Sequence, residues 1–215
     1  VDDLTGHITT NKGTVTNNGT VEATGTIAYV VTTEEELRAA LVDSSVSAIT
    51  LGNDIELSDW VKIERPVKLD GNNKTIFGVV SNNGPVLHLN SDNIEIKHVT
   101  IKSKEFNSAI TAGINIANGG HEGIVIYDVT FENTRFGVYA NKLSYVTITN
   151  NIFKNLNAGI GIEGEGKIEE NEFSEIRSRY VENASSTITN ESIIADNNFD
   201  TTPLIDGINI KPAQE

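Results

Sequence analysis

Short runs in which apolar and polar residues alternate recur along the chain with a constant internal spacing. An apolar residue is followed by a second one five positions later in five places: Ile96 with Ile101, Ile126 with Phe131, Ile148 with Phe153, Ile168 with Phe173, and Ile194 with Phe199. Successive pairs begin 30, 22, 20 and 26 residues apart. Units of fixed shape joined by loops of variable length are typical of a solenoid whose rungs, of about 20 residues each, stack their equivalent positions. The pattern therefore predicts an all-β, single-stranded parallel β-helix.

The residues between these pairs predict what fills the interior. The fourth position of each unit is Val99, Val129, Asn151, Asn171 and Asn197 in turn. An unpaired buried amide costs a few kcal/mol, so we expect the three asparagines to stack as an internal ladder at a bend, with left-handed backbone angles that Asn tolerates. The last position of the later units predicts a column of stacked rings, formed by Phe131, Phe153, Phe173 and Phe199.

The N-terminal part of the chain follows other patterns. A Gly-Thr-Val or Gly-Thr-Ile triplet begins at Gly13, Gly19 and Gly25, six residues apart. This repeat predicts a stalk or a set of first strands over residues 1–29, ahead of a β-helix domain over residues 30–215. Thr33 and Glu36 form a capping box before the apolar stripe of Leu37, Ala40 and Leu41. These residues predict an amphipathic helix over residues 34–43 that caps the exposed end of the solenoid.

The stretch from Val31 to Leu69 and its sequel read TTEEELRAAL…ITLGNDIELSDWVKIERPVKLDGNNKTI, with a cap helix, short strands and an LDG turn. With the later Asn-Asn-Ile-Phe and Asn-Glu-Phe segments, this stretch resembles the pectin-lyase-like right-handed parallel β-helix superfamily over residues 30–210. The resemblance implies a fold and leaves the function open, because this superfamily contains lyases, hydrolases, tailspikes, adhesins and other surface proteins.

Composition and charge restrict the partners. The 215 residues carry 30 acidic and 16 basic side chains, for a formal net charge of −14, and contain neither Cys nor Met. Such a surface repels nucleic acid and anionic lipid, and no apolar run approaches the roughly 20 residues that span a bilayer. The absence of Cys excludes thiol chemistry and fits a secreted or cell-surface protein, which is our prediction, although a cytosolic protein could have the same composition. The acidic surface attracts cations such as Ca²⁺.

The resemblance also suggests where chemistry could lie. Pectate lyases of this superfamily hold Ca²⁺ with a carboxylate cluster, beside an Arg or Lys that abstracts a sugar proton. Here the implied metal ligands are Glu163, Glu165, Glu170 and Glu172, and the implied catalytic candidates are Arg177 and Arg179. The alternative is a solvated acidic loop with weak surface ion pairs.

A second group of residues suggests a saccharide contact. Arg135, Tyr139, Lys142 and Tyr145 lie close in sequence and combine cations with aromatic rings. The alternative is that they are ordinary turn and surface residues.

Two functions follow as hypotheses. The first is a non-catalytic bacterial surface module, such as an S-layer protein or adhesin, which binds a polysaccharide or cell-wall glycan, Ca²⁺ or other domains of a larger parent protein. The second is a small polysaccharide lyase or glycoside hydrolase acting on an acidic polysaccharide.

Overall fold

A computed structural model describes residues 28–79, 83–142 and 144–213 of the chain. Residues 1–27 of the segment predicted as a stalk or as first strands lie outside the described residues. Its last two residues, Ala28 and Tyr29, belong to the first strand of the solenoid.

The described residues form seventeen strands and two helices. In chain order these are β1 (Ala28–Val31), α1 (Glu34–Val42), β2 (Ala48–Leu51), β3 (Ile55–Glu56), β4 (Val61–Ile63), β5 (Val67–Phe77), β6 (Leu87–Leu89), β7 (Ile94–Ile116), β8 (Ile124–Ala140), β9 (Tyr145–Thr149), β10 (Ile152–Lys154), β11 (Ala158–Ile162), β12 (Glu165–Glu169), β13 (Glu172–Ser174), β14 (Arg179–Asn183), α2 (Asn190–Asp196), β15 (Asn198–Phe199), β16 (Pro203–Asp206) and β17 (Asn209–Pro212).

The strands stack in parallel register and confirm a β-helix of about eight rungs. Each full rung has three faces, which we number in chain order. Face 1 contains residues 67–70, 94–97, 124–127, 145–149 and 165–169. Face 2 contains residues 74–77, 99–102, 129–132, 152–154 and 172–174. Face 3 contains residues 61–63, 87–89, 112–116, 136–140, 158–162 and 179–183.

The predicted columns occupy faces 1 and 2. Ile96, Ile126, Ile148 and Ile168 are paired in register from rung to rung, and all are buried. The same columns also extend toward the N-terminus through Leu69 and Ile76. The five-residue spacing did not reveal this earlier rung, because Asn72 and Asn73, with φ of 49° and 59°, lengthen its bend.

The fifth predicted unit begins differently. Ile194 lies in α2 rather than in a strand, and the fully buried residue is its neighbour Ile193. The helix starts at Thr189, whose side chain accepts a hydrogen bond from the backbone N–H of Ser192. The expectation of a fifth strand on face 1 was therefore wrong, because a local capping signal overrides the strand pattern there. Beyond it, β16 and β17 form an antiparallel hairpin, and β17 pairs with β14.

The asparagine ladder lies inside the bend between faces 1 and 2. Asn151 donates its amide to Asn171 Oδ1 at 3.0 Å, and Asn171 donates to Asn197 Oδ1 at 2.9 Å. At one end Asn151 Oδ1 accepts the Val129 N–H, and at the other Asn197 donates to the carbonyls of Ile168 and Ile193. Every amide in the column is thus satisfied, which stabilises buried polar groups.

The left-handed angles fall one residue earlier than predicted. His98, Asp128, Asn150 and Glu170 have φ between 50° and 59°, whereas the buried asparagines do not have positive φ. The left-handed residue bends the chain, and this bend directs the following side chain inward. The interior position can therefore hold Val or Asn, while the residue that bends the chain stays outside.

The phenylalanine column stacks along face 2. The ring centroids of Phe131 and Phe153, Phe153 and Phe173, and Phe173 and Phe199 are 5.0, 4.9 and 5.2 Å apart, with planes within 14° of parallel. Glycines on face 3 leave room for these rings: a Cβ on Gly137 would lie 2.4 Å from the Phe153 ring. A large ring on face 2 therefore packs against a glycine on face 3, which has no side chain to exclude it.

Helix α1 buries its apolar stripe of Leu37, Ala40 and Leu41 in the core. The helix is attached to the segment just before β4, since the Arg38 side chain donates hydrogen bonds to the carbonyls of Asp59 and Trp60. Arg65 in turn donates to the carbonyls of Ala40 and Leu41 near the end of the helix. No helix among the described residues is long and apolar enough to cross a membrane.

Candidate cationic cavity on face 3

A cavity of about 340 Å³ opens on the outer surface of face 3 in the middle of the solenoid. It is lined by Thr111, Ala112, Asn115, Arg135, Phe136, Tyr139, Arg179 and Glu182. Residues from β7, β8 and β14 meet here because parallel stacking places successive rungs side by side. In particular, Phe136, Ala158 and Arg179 are directly paired in register. The small Ala158 leaves space for the Arg179 side chain to extend toward Phe136.

Tyr139 forms one wall of the cavity and is held in a fixed position. Tyr139 is paired in register with Gly161 on the next rung. The ring packs so closely on this glycine that a Cβ there would lie 2.5 Å from it. Its hydroxyl donates to Glu163 Oε1 at 2.7 Å. Burial, followed by the hydrogen bond to the Glu163 carboxylate, raises the pKa of Tyr139 to about 12. The phenol is therefore protonated at neutral pH and presents its ring to the cavity.

Two guanidinium groups face the same space. Arg135 and Arg179 each lie 5.9 Å from the centroid of the Phe136 ring. Arg179 forms an ion pair with Glu182 at 2.9 Å and a hydrogen bond with Asn209 at 3.3 Å, both through Nη1. Its Nε is buried and has no hydrogen-bond partner. Arg135 is exposed and has no ion pair with any residue that the structure describes.

This arrangement can bind an anion that also offers a flat apolar surface. Two guanidinium groups carry fixed N–H donors that match a carboxylate, and Glu182 offsets only one of them. The ring of Tyr139 supplies a stacking surface, and the Asn115 side chain supplies an amide. The cavity is therefore a local cationic site on a chain whose net charge is −14.

Two of the four residues predicted to contact a saccharide lie in the cavity, and two lie elsewhere. Arg135 and Tyr139 line the cavity, whereas Lys142 and Tyr145 do not. Lys142 instead approaches Glu163 at 3.9 Å, and Tyr145 begins β9 on face 1, where it is 44% exposed. Proximity in sequence was a poor guide because the chain turns from face 3 to face 1 between these residues.

The two predicted catalytic arginines are also separated. Arg179 lies in the cavity, but Arg177 packs its guanidinium 3.6 Å from the centroid of the Phe106 ring. Arg177 is therefore not a member of the site. Arg177 lies in the bend between β13 and β14, whereas Arg179 begins β14, so their side chains face different surfaces.

The predicted metal ligands do not converge. Glu163 contacts Tyr139, whereas Glu170 lies at the bend between faces 1 and 2 and Glu172 starts β13 on face 2. Glu165 begins β12 on face 1. In the part of the chain that the structure describes, no group of three or more His, Asp or Glu side chains is placed to hold a metal ion. These four residues are distributed over three surfaces of the solenoid, and Ca²⁺ binding by them stays a prediction.

Asn115, Phe136 and Glu182 also line the cavity, but they were not among the residues predicted from the sequence. The signal that could have found them is the register of face 3, in which Asn115, Tyr139, Gly161 and Glu182 form one outward row. That register became visible only when the strands were placed.

A family model described as "putative pectate lyase-like adhesive domain" matches residues 28–139, which is more than half of the chain. The chain therefore belongs to the family of pectate lyase-like adhesive domains, and its fold is the pectin-lyase-like β-helix. Searches of curated proteins and of solved structures found no match. The matched segment contains Arg135 and Tyr139, whereas Arg179 lies beyond it.

Proposed function

We propose that this protein is a non-catalytic adhesive module of a bacterial surface, and that it binds an acidic glycan in the face 3 cavity. Membership of an adhesive-domain family supports the adhesive role and an extracellular location. The cavity supports the ligand class, because its cationic groups are suited to a carboxylate on a sugar ring.

The observation that carries this proposal is the state of the two arginines. Arg135 is exposed and has no ion pair among the described residues, and the Arg179 side chain, which is paired with Glu182, is 27% exposed. A ligand carboxylate placed between Arg135 and Arg179 would pair with the accessible nitrogens of both guanidinium groups, while Tyr139 would stack on the sugar.

The test is a titration of the protein with polygalacturonate and with a neutral glucan of similar length, followed by calorimetry. We expect binding to polygalacturonate that weakens as salt is added, since exposed charges are screened. Arg135→Gln together with Arg179→Gln should weaken this binding by roughly 100-fold, because each lost charged contact costs a factor of about ten. Equal binding of the neutral glucan would contradict an anion-selective site.

A matched control comes from face 1. Lys167→Gln removes one positive charge from an exposed side chain whose contact is with Glu169 at 3.7 Å. This variant should bind polygalacturonate like the wild type. If it lost as much affinity as either single arginine variant, binding would depend on net charge alone and the cavity would have no special role.

The same mixtures distinguish the module from the alternative, a polysaccharide lyase or hydrolase. The length of the glycan is measured after prolonged incubation with the protein. A module leaves the length unchanged. Shortening that is lost in Arg179→Gln would instead assign an enzymatic role to this cavity.

A further inference from the structure

An exposed turn of the solenoid combines an Asn-Gly pair with a histidine that is held in a fixed position. The chain contains three such pairs, Asn18-Gly19, Asn83-Gly84 and Asn118-Gly119, of which the first lies outside the described residues. Because glycine has no side chain, its backbone nitrogen can closely approach the side-chain amide of the preceding asparagine. An Asn-Gly pair is therefore a place where the backbone can attack the asparagine side chain.

The turn lies between β7 and β8, at the corner where the chain passes from face 3 to face 1. Asn118 and Gly119 are both exposed to solvent there. Two residues further on, the carbonyl of His121 accepts the N–H of Tyr145 on the next rung at 2.8 Å. The turn is thus open to water at Asn118 and anchored to the solenoid at His121.

The imidazole ring of His121 lies against Gly119. A Cβ on this glycine would lie 2.8 Å from His121 Nε2. The other ring nitrogen, Nδ1, is 3.3 Å from Asp92 Oδ1, and the histidine side chain is 15% exposed. Donation of the Nδ1 proton to Asp92 leaves the lone pair on Nε2, beside the backbone of Gly119. Nε2 is also 3.3 Å from Asn90 Oδ1, and this amide can donate to Nε2 if its two ends are exchanged.

We propose that Asn118 is a site of spontaneous deamidation and that His121 promotes this reaction as a general base. His121 Nε2 accepts the proton of the Gly119 N–H while the glycine nitrogen attacks Asn118 Cγ. The N–Cγ bond forms, the Cγ–Nδ2 bond breaks, and ammonia leaves with the transferred proton. Water then opens the five-membered imide at either carbonyl, which gives aspartate or isoaspartate at position 118.

The products change the charge of this corner and, in one case, its backbone. Both carry a new carboxylate near His121 and Asp92, and isoaspartate also adds one methylene to the main chain between β7 and β8. The strands on either side are held by buried side chains, including Ile116 and Ile124. The fold should therefore survive the reaction, so that older molecules differ from newly made ones at this corner alone.

Asn83-Gly84 provides an internal comparison within the same chain. Asn83 is also exposed, but a Cβ on Gly84 would lie 3.2 Å from the Trp60 ring, and the Gly84 carbonyl accepts the Thr111 N–H at 3.0 Å. The indole of Trp60 is a hydrogen-bond donor and cannot accept a proton. Without a base at the glycine, Asn83 should react at least about tenfold more slowly than Asn118.

The experiment incubates the folded protein at neutral pH and physiological temperature and follows each Asn-Gly peptide by mass spectrometry. An isoaspartate-specific methyltransferase then quantifies isoaspartate. We expect His121→Gln to slow the reaction at Asn118 by about tenfold, since water must replace the base. His98→Asn is the matched control, because His98 also contacts an aspartate, Asp70 at 3.2 Å, but lies at the bend between faces 1 and 2. This variant should react at the wild-type rate.

A purely structural role of His121 predicts the opposite sign, because a looser turn would reach the ring-closing geometry more often. A second comparison uses the wild type unfolded in urea. We expect Asn118 to react faster in the folded protein than in the unfolded chain, and Asn83 to react more slowly.

Three results would overturn the proposal: an Asn118 that stays intact, a rate in His121→Gln that equals or exceeds that of the wild type, and a faster reaction at Asn118 in the unfolded chain. Circular dichroism of each variant shows that it is folded before the incubation begins. No glycan enters these measurements, so their outcome is independent of the proposed function.

Discussion

Two sets of columns run along this solenoid, and they differ in how they change from rung to rung. In the interior the same residue types recur: Asn171 lies between Asn151 and Asn197 in the bend between faces 1 and 2, and Phe153 lies between Phe131 and Phe173 on face 2. On the outer surface of face 3, each rung contributes a different side chain. The row there reads Lys62, His88, Asn115, Tyr139, Gly161 and Glu182.

This difference separates stability from recognition. An interior position must match the rungs above and below it, because a buried amide needs an amide and a ring packs best on a ring. An outward position on face 3 has no such constraint, so its residue type can be set by a ligand. We therefore expect changes in the interior columns to lower stability and changes on the outer row to alter binding with the fold intact.

The largest effect is expected for Phe153→Ala. The Phe153 ring is fully buried between two stacked rings, and removing it leaves a cavity. The free energy of unfolding should fall by about 4 kcal/mol, as measured by urea denaturation. Ile152→Ala is the matched control, since Ile152 is adjacent but 41% exposed, and it should change stability by less than about 1 kcal/mol. Similar losses in both variants would contradict the role of the ring column.

A smaller loss is expected for Asn171→Ala. This change leaves the backbone N–H and side-chain amide of Asn151 without their acceptor and the carbonyl of Ile148 without its donor. Buried groups left unpaired should cost about 3 kcal/mol in the free energy of unfolding. The exposed Asn118 provides a control of the same residue type, and Asn118→Ala should leave the denaturation midpoint nearly unchanged. A midpoint for Asn171→Ala close to that of the control would show that the ladder contributes little.

Arg179→Gln changes a residue of the outer surface of face 3. It removes a partly exposed ion pair with Glu182, which should contribute only about 0.5 kcal/mol to stability. Its effect on glycan binding should be much larger than its effect on unfolding, and both are measured on the same preparation. A loss of stability comparable to that of Phe153→Ala would mean that Arg179 acts as a structural residue.

The smallest effect concerns pH. The folded-state pKa of Tyr139 is about 12, above the usual tyrosine value of 10.0, so the folded protein retains this proton when the unfolded chain has lost it. The stability that this proton contributes is therefore fully present below pH 10, and it is lost as the pH rises from 10 to 12. An ultraviolet titration of tyrosinate should lose a late-ionising component in Tyr139→Phe. The same late component in both proteins would exclude Tyr139 as its source.

The interior columns could be predicted from the sequence because their residues repeat at a constant spacing within each rung. The five-residue step from Ile148 to Phe153 is the same as that from Ile168 to Phe173, and it identifies both columns without a structure. The spacing did not predict that α2 takes the place of a fifth strand on face 1, because the helix depends on a local signal, the capping residue Thr189.

The cavity could not be predicted in the same way, because the step from face 2 to face 3 varies. It is 13 residues from Ile101 to Ile114 but 7 residues from Phe131 to Val138. Arg135 and Arg179 are 44 residues apart in sequence, and they meet because Arg179 lies two rungs beyond Phe136 in one register column. Without that register, Arg177 and Arg179 look equivalent, and Lys142 looks as close to Tyr139 as Arg135 does.

The most direct test of the central claim is an NMR titration of the isotope-labelled protein with an oligogalacturonate. The 23.2 kDa chain is small enough for its backbone amides and arginine Nε–H groups to be followed individually. We predict that the largest shifts occur at Asn115, Arg135, Tyr139 and Arg179, including the Nε–H of Arg179, while amides of the interior ladder do not move. Shifts that instead cluster on faces 1 and 2, or that spread evenly over the exposed lysines, would contradict the assignment of binding to face 3.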